Sequence, residues 1–145
     1  MIGAAEREFL SMKELYTTTM INDGGRNGKS YAEDQSLSLN IAPPGSKLAD
    51  VTNPEQLFAA GYSACFNSAL DLIKRQKKIQ GASTIKATVK LMEQAAFDYV
   101  LAVDIEGHIE GLSIEEAQQL LEITHTVCPY SKATMGNINV TIKAV

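Results

Sequence analysis

TNPEQLFAAGYSACF, residues 52–66, is the stretch that predicts the helix around which the rest of the chain is arranged. Asn53 is a good N-cap acceptor, and Pro54 suits the first helical position, where no N–H donor is needed. Glu55 falls in the first turn, where the helix dipole favours a negative charge. We therefore expect a helix that begins near Pro54 and runs to about Lys78.

Small and apolar residues recur at helical spacing along this segment and predict a face that packs closely against another backbone. They are Leu57, Ala60, Gly61, Ala64, Cys65, Ser68, Ala69 and Leu72. This pattern places Cys65 on the packed face. A buried cysteine often acts as a small hydrophobic residue, so a purely structural role stays open for Cys65.

Composition predicts one globular domain that functions in the cytosol. The chain has 145 residues, 45% of them hydrophobic and 21% charged, which is enough to bury a core. The net charge of −4 argues against a general nucleic-acid binder. The sequence has neither a membrane-length apolar run nor a signal-peptide pattern, so we expect no membrane association.

The order of predicted elements is typical of an α+β fold. Three strands precede the long helix, two paired strands follow it, and helices and a closing strand end the chain. The predicted strands cover residues 15–21, 30–34, 37–41, 85–91, 99–109 and 138–142. Ser113 and Glu116 form a capping box that begins a further helix, and Pro129 breaks or restarts it.

A second cysteine, Cys128, ends the apolar face of that further helix. Packing of the two helices against each other could bring its sulfur within disulfide range of Cys65, and in the cytosol such a pair favours a redox cycle. Burial raises a thiol pKa, so a reactive thiolate needs a cation nearby. Arg26, in a glycine-rich turn, is our candidate for that cation, although a solvated turn residue is the simpler interpretation.

Glu55 has the simple alternative of stabilising the helix dipole. It precedes Cys65 by ten residues, which is about 15 Å along a straight helix, so the two side chains cannot meet within one helix. Two such helices packed antiparallel about a two-fold axis would allow Glu55 of one subunit to approach the cysteine of the other. We expect Glu55 to act in that way, through Arg26.

Other combinations of residues point to further chemistry. Phe58, Tyr62, Phe66 and Tyr130 flank the cysteines, and they would line an apolar substrate pocket or simply fill the core.

His125, one turn before Cys128, permits a Cys/His nucleophile pair. A zinc site would need the two cysteines with His108 and His125, but the spacing of these four residues matches no zinc motif, so we expect no metal.

Three motifs together resemble the OsmC/Ohr family, and within it the organic hydroperoxide resistance branch. They are residues 52–66, the run VCPYSKAT at 127–134, and GGRNG at 24–28. The resemblance covers residues 13–145. It makes residues 1–11 an N-terminal extension and 12–145 a single OsmC/Ohr-like domain. The fold it implies is α+β, with two antiparallel sheets packed around long central helices in an intertwined homodimer.

The resemblance implies a thiol peroxidase that reduces organic hydroperoxides, including lipid hydroperoxides, without a bound cofactor. Cys65 matches the peroxidatic cysteine, and Cys128 matches the resolving cysteine that converts a sulfenic acid to a disulfide. Arg26 and Glu55 match an ion pair that holds the thiolate. The implied reductant is dihydrolipoamide or a lipoylated protein.

Two other functions remain open at the level of sequence. The first is a non-enzymatic thiol redox switch or small-molecule binding protein, which would form the same disulfide without rapid turnover. The second is a hydrolase-like relative, which would depend on His125 and tolerate loss of Cys128.

Overall fold

A computed structural model describes residues 12–145 of the chain. The chain divides into two compact units, one ending at Thr52 and the other comprising Asn53–Val145. The predicted extension, residues 1–11, lies outside the described residues. The assignment of residues 12–145 to a single domain stays a prediction.

The first unit contains a sheet of four short strands in the order β1-β2-β3-β4. These strands are Met20–Asp23, Gly28–Ala32, Ser38–Ile41 and Val51–Thr52. The strand predicted from Leu15 begins only at Met20, and β4 lies outside the strands that the sequence predicted. The turn between β1 and β2 carries Arg26.

That turn has a fixed backbone geometry. Gly24 and Gly25 have φ angles of 86° and 62°, in the left-handed region that glycine adopts without strain. The Gly25 N–H donates to Asn22 Oδ1 at 2.9 Å, and the Asn27 N–H donates to the Gly24 carbonyl at 3.1 Å. The sequence around Arg26 therefore closes a tight hairpin at a defined place.

The second unit contains the other sheet and the three described helices. Helices α1, α2 and α3 are Pro54–Gln76, Ile114–Val127 and Pro129–Thr134, and strands β5, β6 and β7 are Ser83–Ala95, Asp98–Ile109 and Asn139–Ala144. Both predicted N-caps are confirmed. The Asn53 side chain accepts from the Gln56 N–H at 2.8 Å, and Ser113 accepts from the Glu116 N–H at 3.2 Å.

The two sheets are mixed, which corrects the prediction that they are antiparallel. The pairs β1/β2, β2/β3 and β5/β6 are antiparallel, as expected for strands joined by hairpins or short loops. However, β4 runs parallel to β3, and β7 runs parallel to β6. The path from β6 to β7 passes through α2 and α3, and such a crossover lets a strand return in the same direction.

The buried face of α1 differs from the one that small-residue spacing predicted. Its buried apolar residues are Tyr62, Phe66, Ala69, Leu70 and Ile73. These pack with Val103 and Ile105 of β6 and with Leu121 of α2 in one core. Of the predicted face, Ala69 is buried, whereas Leu57 and Leu72 are 36% and 50% exposed. Large side chains therefore decide which face of α1 the rest of this unit covers.

Candidate functional site

Two cysteine sulfurs lie together in the second unit. Cys65 projects from α1, and Cys128 occupies the junction between α2 and α3. The Cys128 thiol faces the Cys65 sulfur at a distance of 3.7 Å, and both cysteines are free thiols. Cys128 is fully buried, while Cys65 is partly exposed. A reagent from solvent therefore reaches Cys65 first, and Cys128 is placed to react next with whatever forms there.

The local sequence explains the position of Cys128. The residue has φ −60° and ψ 124°, an extended conformation between two helices. Pro129 imposes this conformation, because its ring disfavours helical geometry in the residue before it. The Cys128 N–H still donates to the Thr124 carbonyl at 2.9 Å, so the break occurs immediately after a complete helical turn.

Burial sets the electrostatics of this pair. It raises the pKa of the Cys65 thiol above its ordinary value, because a thiolate loses solvation in an apolar site. A backbone hydrogen bond from Tyr130 lowers that pKa, and the neighbouring Cys128 thiol raises it. Within this unit the net effect is a raised pKa of Cys65, which disfavours the reactive thiolate. An efficient thiolate nucleophile at Cys65 therefore requires a positive charge.

The four predicted pocket aromatics contact one another beside the cysteines. The Tyr62 ring lies 6.1, 6.4 and 5.7 Å from the rings of Phe58, Phe66 and Tyr130. Tyr62 and Phe66 are fully buried and belong to the core, which was the alternative interpretation. Tyr130 is 38% exposed and Phe58 is partly buried. A substrate-contacting role stays a prediction for the group.

A groove of about 510 Å³ opens beside the Cys65 sulfur and is lined by residues other than these aromatics. Its lining is apolar near the sulfur and charged at the far end of α1, and it consists of Cys65, Ser68, Ala69, Asp71, Leu72, Arg75, Val127 and Pro129. Asp71 and Arg75 pair at 3.1 Å. The helical spacing of the sequence placed Cys65, Ser68, Ala69 and Leu72 on one packed face of the helix, and it did not predict a groove there.

The ion pair of Arg26 and Glu55 stays a prediction, because the two residues lie in different units of the chain. Arg26 belongs to the first unit, and Glu55 lies in the first turn of α1. Because α1 is continuous from Pro54 to Gln76, Glu55 and Cys65 are separated by about 15 Å along the helix axis. The prediction that they cannot meet within one helix is therefore confirmed, and the roles of Arg26 and Glu55 stay predictions.

The histidines have partners outside the cysteine pair. His125 Nδ1 lies 2.8 Å from Ser131 Oγ, and His108 Nδ1 lies 2.9 Å from the Val145 carbonyl. Burial lowers the pKa of His125 below its ordinary value, because a charged ring loses solvation there. Within residues 12–145, no three His, Cys, Asp or Glu side chains gather as metal ligands, and no helix is long and apolar enough to span a membrane.

Comparison with known proteins identifies the family. The OsmC-like protein family model matches residues 46–143. The chain is 46% identical to the organic hydroperoxide resistance protein OhrA of Bacillus subtilis, over 89% of this chain and 95% of that protein. The chain belongs to the OsmC family, in its organic hydroperoxide resistance branch. An organic hydroperoxide resistance protein-like 2 of Staphylococcus epidermidis is also 46% identical, over 87% and 92% of the two chains.

Solved structures of OsmC-family proteins confirm the fold. An organic hydroperoxide resistance protein from Elizabethkingia anophelis superposes with a TM-score of 0.83 at 43% identity, over 92% of this chain and 98% of that one. OhrB of Bacillus subtilis superposes with a TM-score of 0.82 at 37% identity, over 91% and 100%. The family and the α+β OsmC-like fold expected from the sequence are therefore confirmed.

The unequal burial of the two cysteines predicts selective alkylation of the reduced protein. Iodoacetamide should modify Cys65 at least about tenfold faster than Cys128, because a buried thiol is shielded from the reagent. Peptide mass spectrometry of protein quenched at successive times measures both rates. In the Cys65→Ser and Cys128→Ser variants, the alkylation rate of the remaining cysteine is measured alone. In urea the alkylation rates of the two cysteines should converge. Equal rates in the folded protein would contradict the exposure that the structure assigns.

Proposed function

We propose that this protein is a thiol peroxidase that reduces organic hydroperoxides, lipid hydroperoxides included, to alcohols in the cytosol. The observation that carries the proposal is the 3.7 Å contact between a partly exposed and a fully buried thiol. The names of its relatives, organic hydroperoxide resistance proteins, support the substrate class.

In the first step the Cys65 thiolate attacks the peroxide oxygen that is distal to the organic group. The O–O bond breaks, the alkoxide leaves and takes up a proton as the alcohol, and Cys65 becomes a sulfenic acid. The partial exposure of Cys65 admits the peroxide. Apolar groove residues such as Leu72, Val127 and Pro129 favour an organic tail over hydrogen peroxide, since only the tail gains by burial.

In the second step the Cys128 thiolate attacks the Cys65 sulfur. The S–O bond breaks, hydroxide leaves as water after protonation, and the Cys65–Cys128 disulfide forms. Burial of Cys128 keeps that thiol from the peroxide while leaving it beside the sulfenic acid. A dihydrolipoyl group, free or on a lipoylated protein, then reduces the disulfide by thiol–disulfide exchange and becomes a cyclic disulfide itself. The cycle needs no bound cofactor.

The proposal assigns Arg26 to the Cys65 thiolate and Glu55 to the orientation of Arg26. A guanidinium cannot lose its charge, and its planar fork serves a sulfur and a carboxylate together. Because Glu55 and Cys65 of one α1 helix are about 15 Å apart, the assignment favours a site completed by a second chain. The exposed side of α1 around Ala60, Ala64 and Leu72 offers close approach to such a partner.

A non-enzymatic thiol switch or small-molecule binding protein is the second candidate. The same sulfur contact favours it, because a disulfide there would tie α1 to the segment that follows α2. The two candidates differ in turnover. The hydrolase alternative gains no support, because His125 Nδ1 is hydrogen-bonded to Ser131.

Turnover of peroxide with dihydrolipoamide as reductant tests the peroxidase directly. We expect fast consumption of cumene hydroperoxide, slower consumption of hydrogen peroxide, and complete loss with Cys65→Ser. Without reductant, Cys128→Ser should consume about one equivalent of peroxide per subunit and stop at the Cys65 sulfenic acid, because no Cys65–Cys128 disulfide can form. Ser63→Ala, whose hydroxyl donates to the Ala60 carbonyl of the same helix, is the matched control and should keep wild-type turnover. A wild-type protein that oxidises once without turnover would favour the thiol switch.

Removal of the proposed cation tests the assignment of Arg26. Burial already raises the pKa of Cys65, so Arg26→Ala should raise it further and reduce the thiolate fraction at neutral pH. The rate of Cys65 oxidation should fall at neutral pH and recover as pH rises through the new pKa. Stopped-flow oxidation from about pH 5 to about pH 10 measures the profile. Lys29→Ala removes a nearby charge in β2 as control, and a profile unchanged by Arg26→Ala would contradict the role.

A further inference from the structure

A second buried contact joins the same two segments beside the sulfur pair. Tyr62 of α1 places its hydroxyl 2.8 Å from Ser131 Oγ and 3.1 Å from Thr134 Oγ1, both in α3. Tyr62 and Ser131 are fully buried, and Thr134 is 5% exposed. Hydroxyls in such a site are costly to bury unless they are paired, so the contact holds α3 to α1 in a defined position.

This hydroxyl contact is in register with the sulfur contact. Tyr62 precedes Cys65 by three residues on α1, and Ser131 follows Cys128 by three residues. On α1, the residues that make the two contacts are therefore about 4.5 Å apart along the helix axis, which is nearly one turn. The distance between the sulfurs depends on how α3 sits against α1, and the hydroxyl contact fixes that placement one turn away.

Ser131 is also held from the other side of Cys128. His125 Nδ1, three residues before the cysteine, lies 2.8 Å from Ser131 Oγ. The His125–Ser131 bond thus spans the backbone break at Cys128 and Pro129. Gly61 lets the Tyr130 side chain lie close to α1, since a Cβ there would lie 2.5 Å from Tyr130 Oη.

We propose that Tyr62 and Ser131 are positioning residues that set how readily the Cys65–Cys128 disulfide closes. The inference rests on the proposed function in that the disulfide is the intermediate of that cycle. The sulfurs are 3.7 Å apart and must approach to about 2.05 Å when they bond. A neighbouring contact that restricts the motion of α3 raises the effective concentration of one thiol toward the other.

Equilibration with reduced and oxidised glutathione measures this effective concentration without any peroxide. The Cys65 thiolate attacks oxidised glutathione and releases one glutathione, and Cys128 then attacks the mixed disulfide and releases the second. Mass spectrometry after an acid quench gives the fraction of protein disulfide. We compare wild type with Tyr62→Phe, which keeps the packed ring, and Ser131→Ala. Ser63→Ala and Thr126→Ala are the matched controls, because these hydroxyls donate to carbonyls of their own helices, Ala60 and Ile123.

We expect the effective concentration to fall about fivefold or more in Tyr62→Phe and in Ser131→Ala, the size expected for loss of one hydrogen bond. The double variant should lose less than the product of the two single losses, because both remove the same contact. The controls should match wild type. An unchanged value in both single variants, or an increase, would overturn the proposal; an increase would mean that the contact holds the sulfurs apart.

A second measurement separates this proposal from the peroxidase itself. With cumene hydroperoxide, Ser131→Ala should oxidise Cys65 at the wild-type rate and close the disulfide about fivefold more slowly. A general loss of structure would slow both steps, and circular dichroism of each variant checks for it. If peroxide fails to oxidise the wild type, the proposed function fails while the glutathione measurement still decides the positioning role.

Discussion

A contact between one fully buried sulfur and one partly exposed sulfur, 3.7 Å apart, is the constraint on which the account of this protein depends. It exists because Pro129 ends helical geometry at Cys128 and turns the chain toward α1. In the mechanism that we propose, this difference in exposure sets the order of the two steps: the oxidant reacts with Cys65, and Cys128 then reacts with the sulfenic acid at Cys65.

The same burial that protects Cys128 works against Cys65. An apolar setting raises the pKa of Cys65, whereas peroxide chemistry needs the thiolate. A backbone hydrogen bond from Tyr130 lowers this pKa, and we propose that the charge of Arg26 supplies the further stabilisation that the thiolate needs. On this view the site balances two demands: apolar surroundings that favour an organic substrate, and enough positive potential to ionise a thiol there.

Local rules predicted the ends of the elements well, because caps and breaks depend on a few adjacent residues. Asn53, Ser113 and Pro129 each act as the sequence indicated. Within the second unit, the buried face of α1 differs from the face of small residues that the spacing indicated, because periodicity alone does not weigh small residues against Tyr62 and Phe66. The parallel pairs of strands were missed for a similar reason, since strand direction is decided by long-range connections.

At the site, two separated cysteine motifs were enough to predict the family, and helical spacing was enough to predict that the sulfurs approach each other. Spacing gave no sign of the hydroxyl contact between Tyr62 and Ser131, because the two residues are separated by 69 positions and only the packed fold joins them. The groove beside Cys65 was missed for the same reason. Its lining comes from α1 and from the α2–α3 junction together.

Product analysis after a single turnover is the most direct test of the proposed reaction at Cys65 and Cys128. Fully reduced protein is mixed with an equal amount of cumene hydroperoxide, and both the protein and the organic product are measured by mass spectrometry. If Cys65 and Cys128 act as proposed, each subunit yields one cumyl alcohol and a peptide pair joined through Cys65 and Cys128 of the same chain. Unchanged protein, or an oxidised Cys128 beside an intact Cys65, would contradict the proposal.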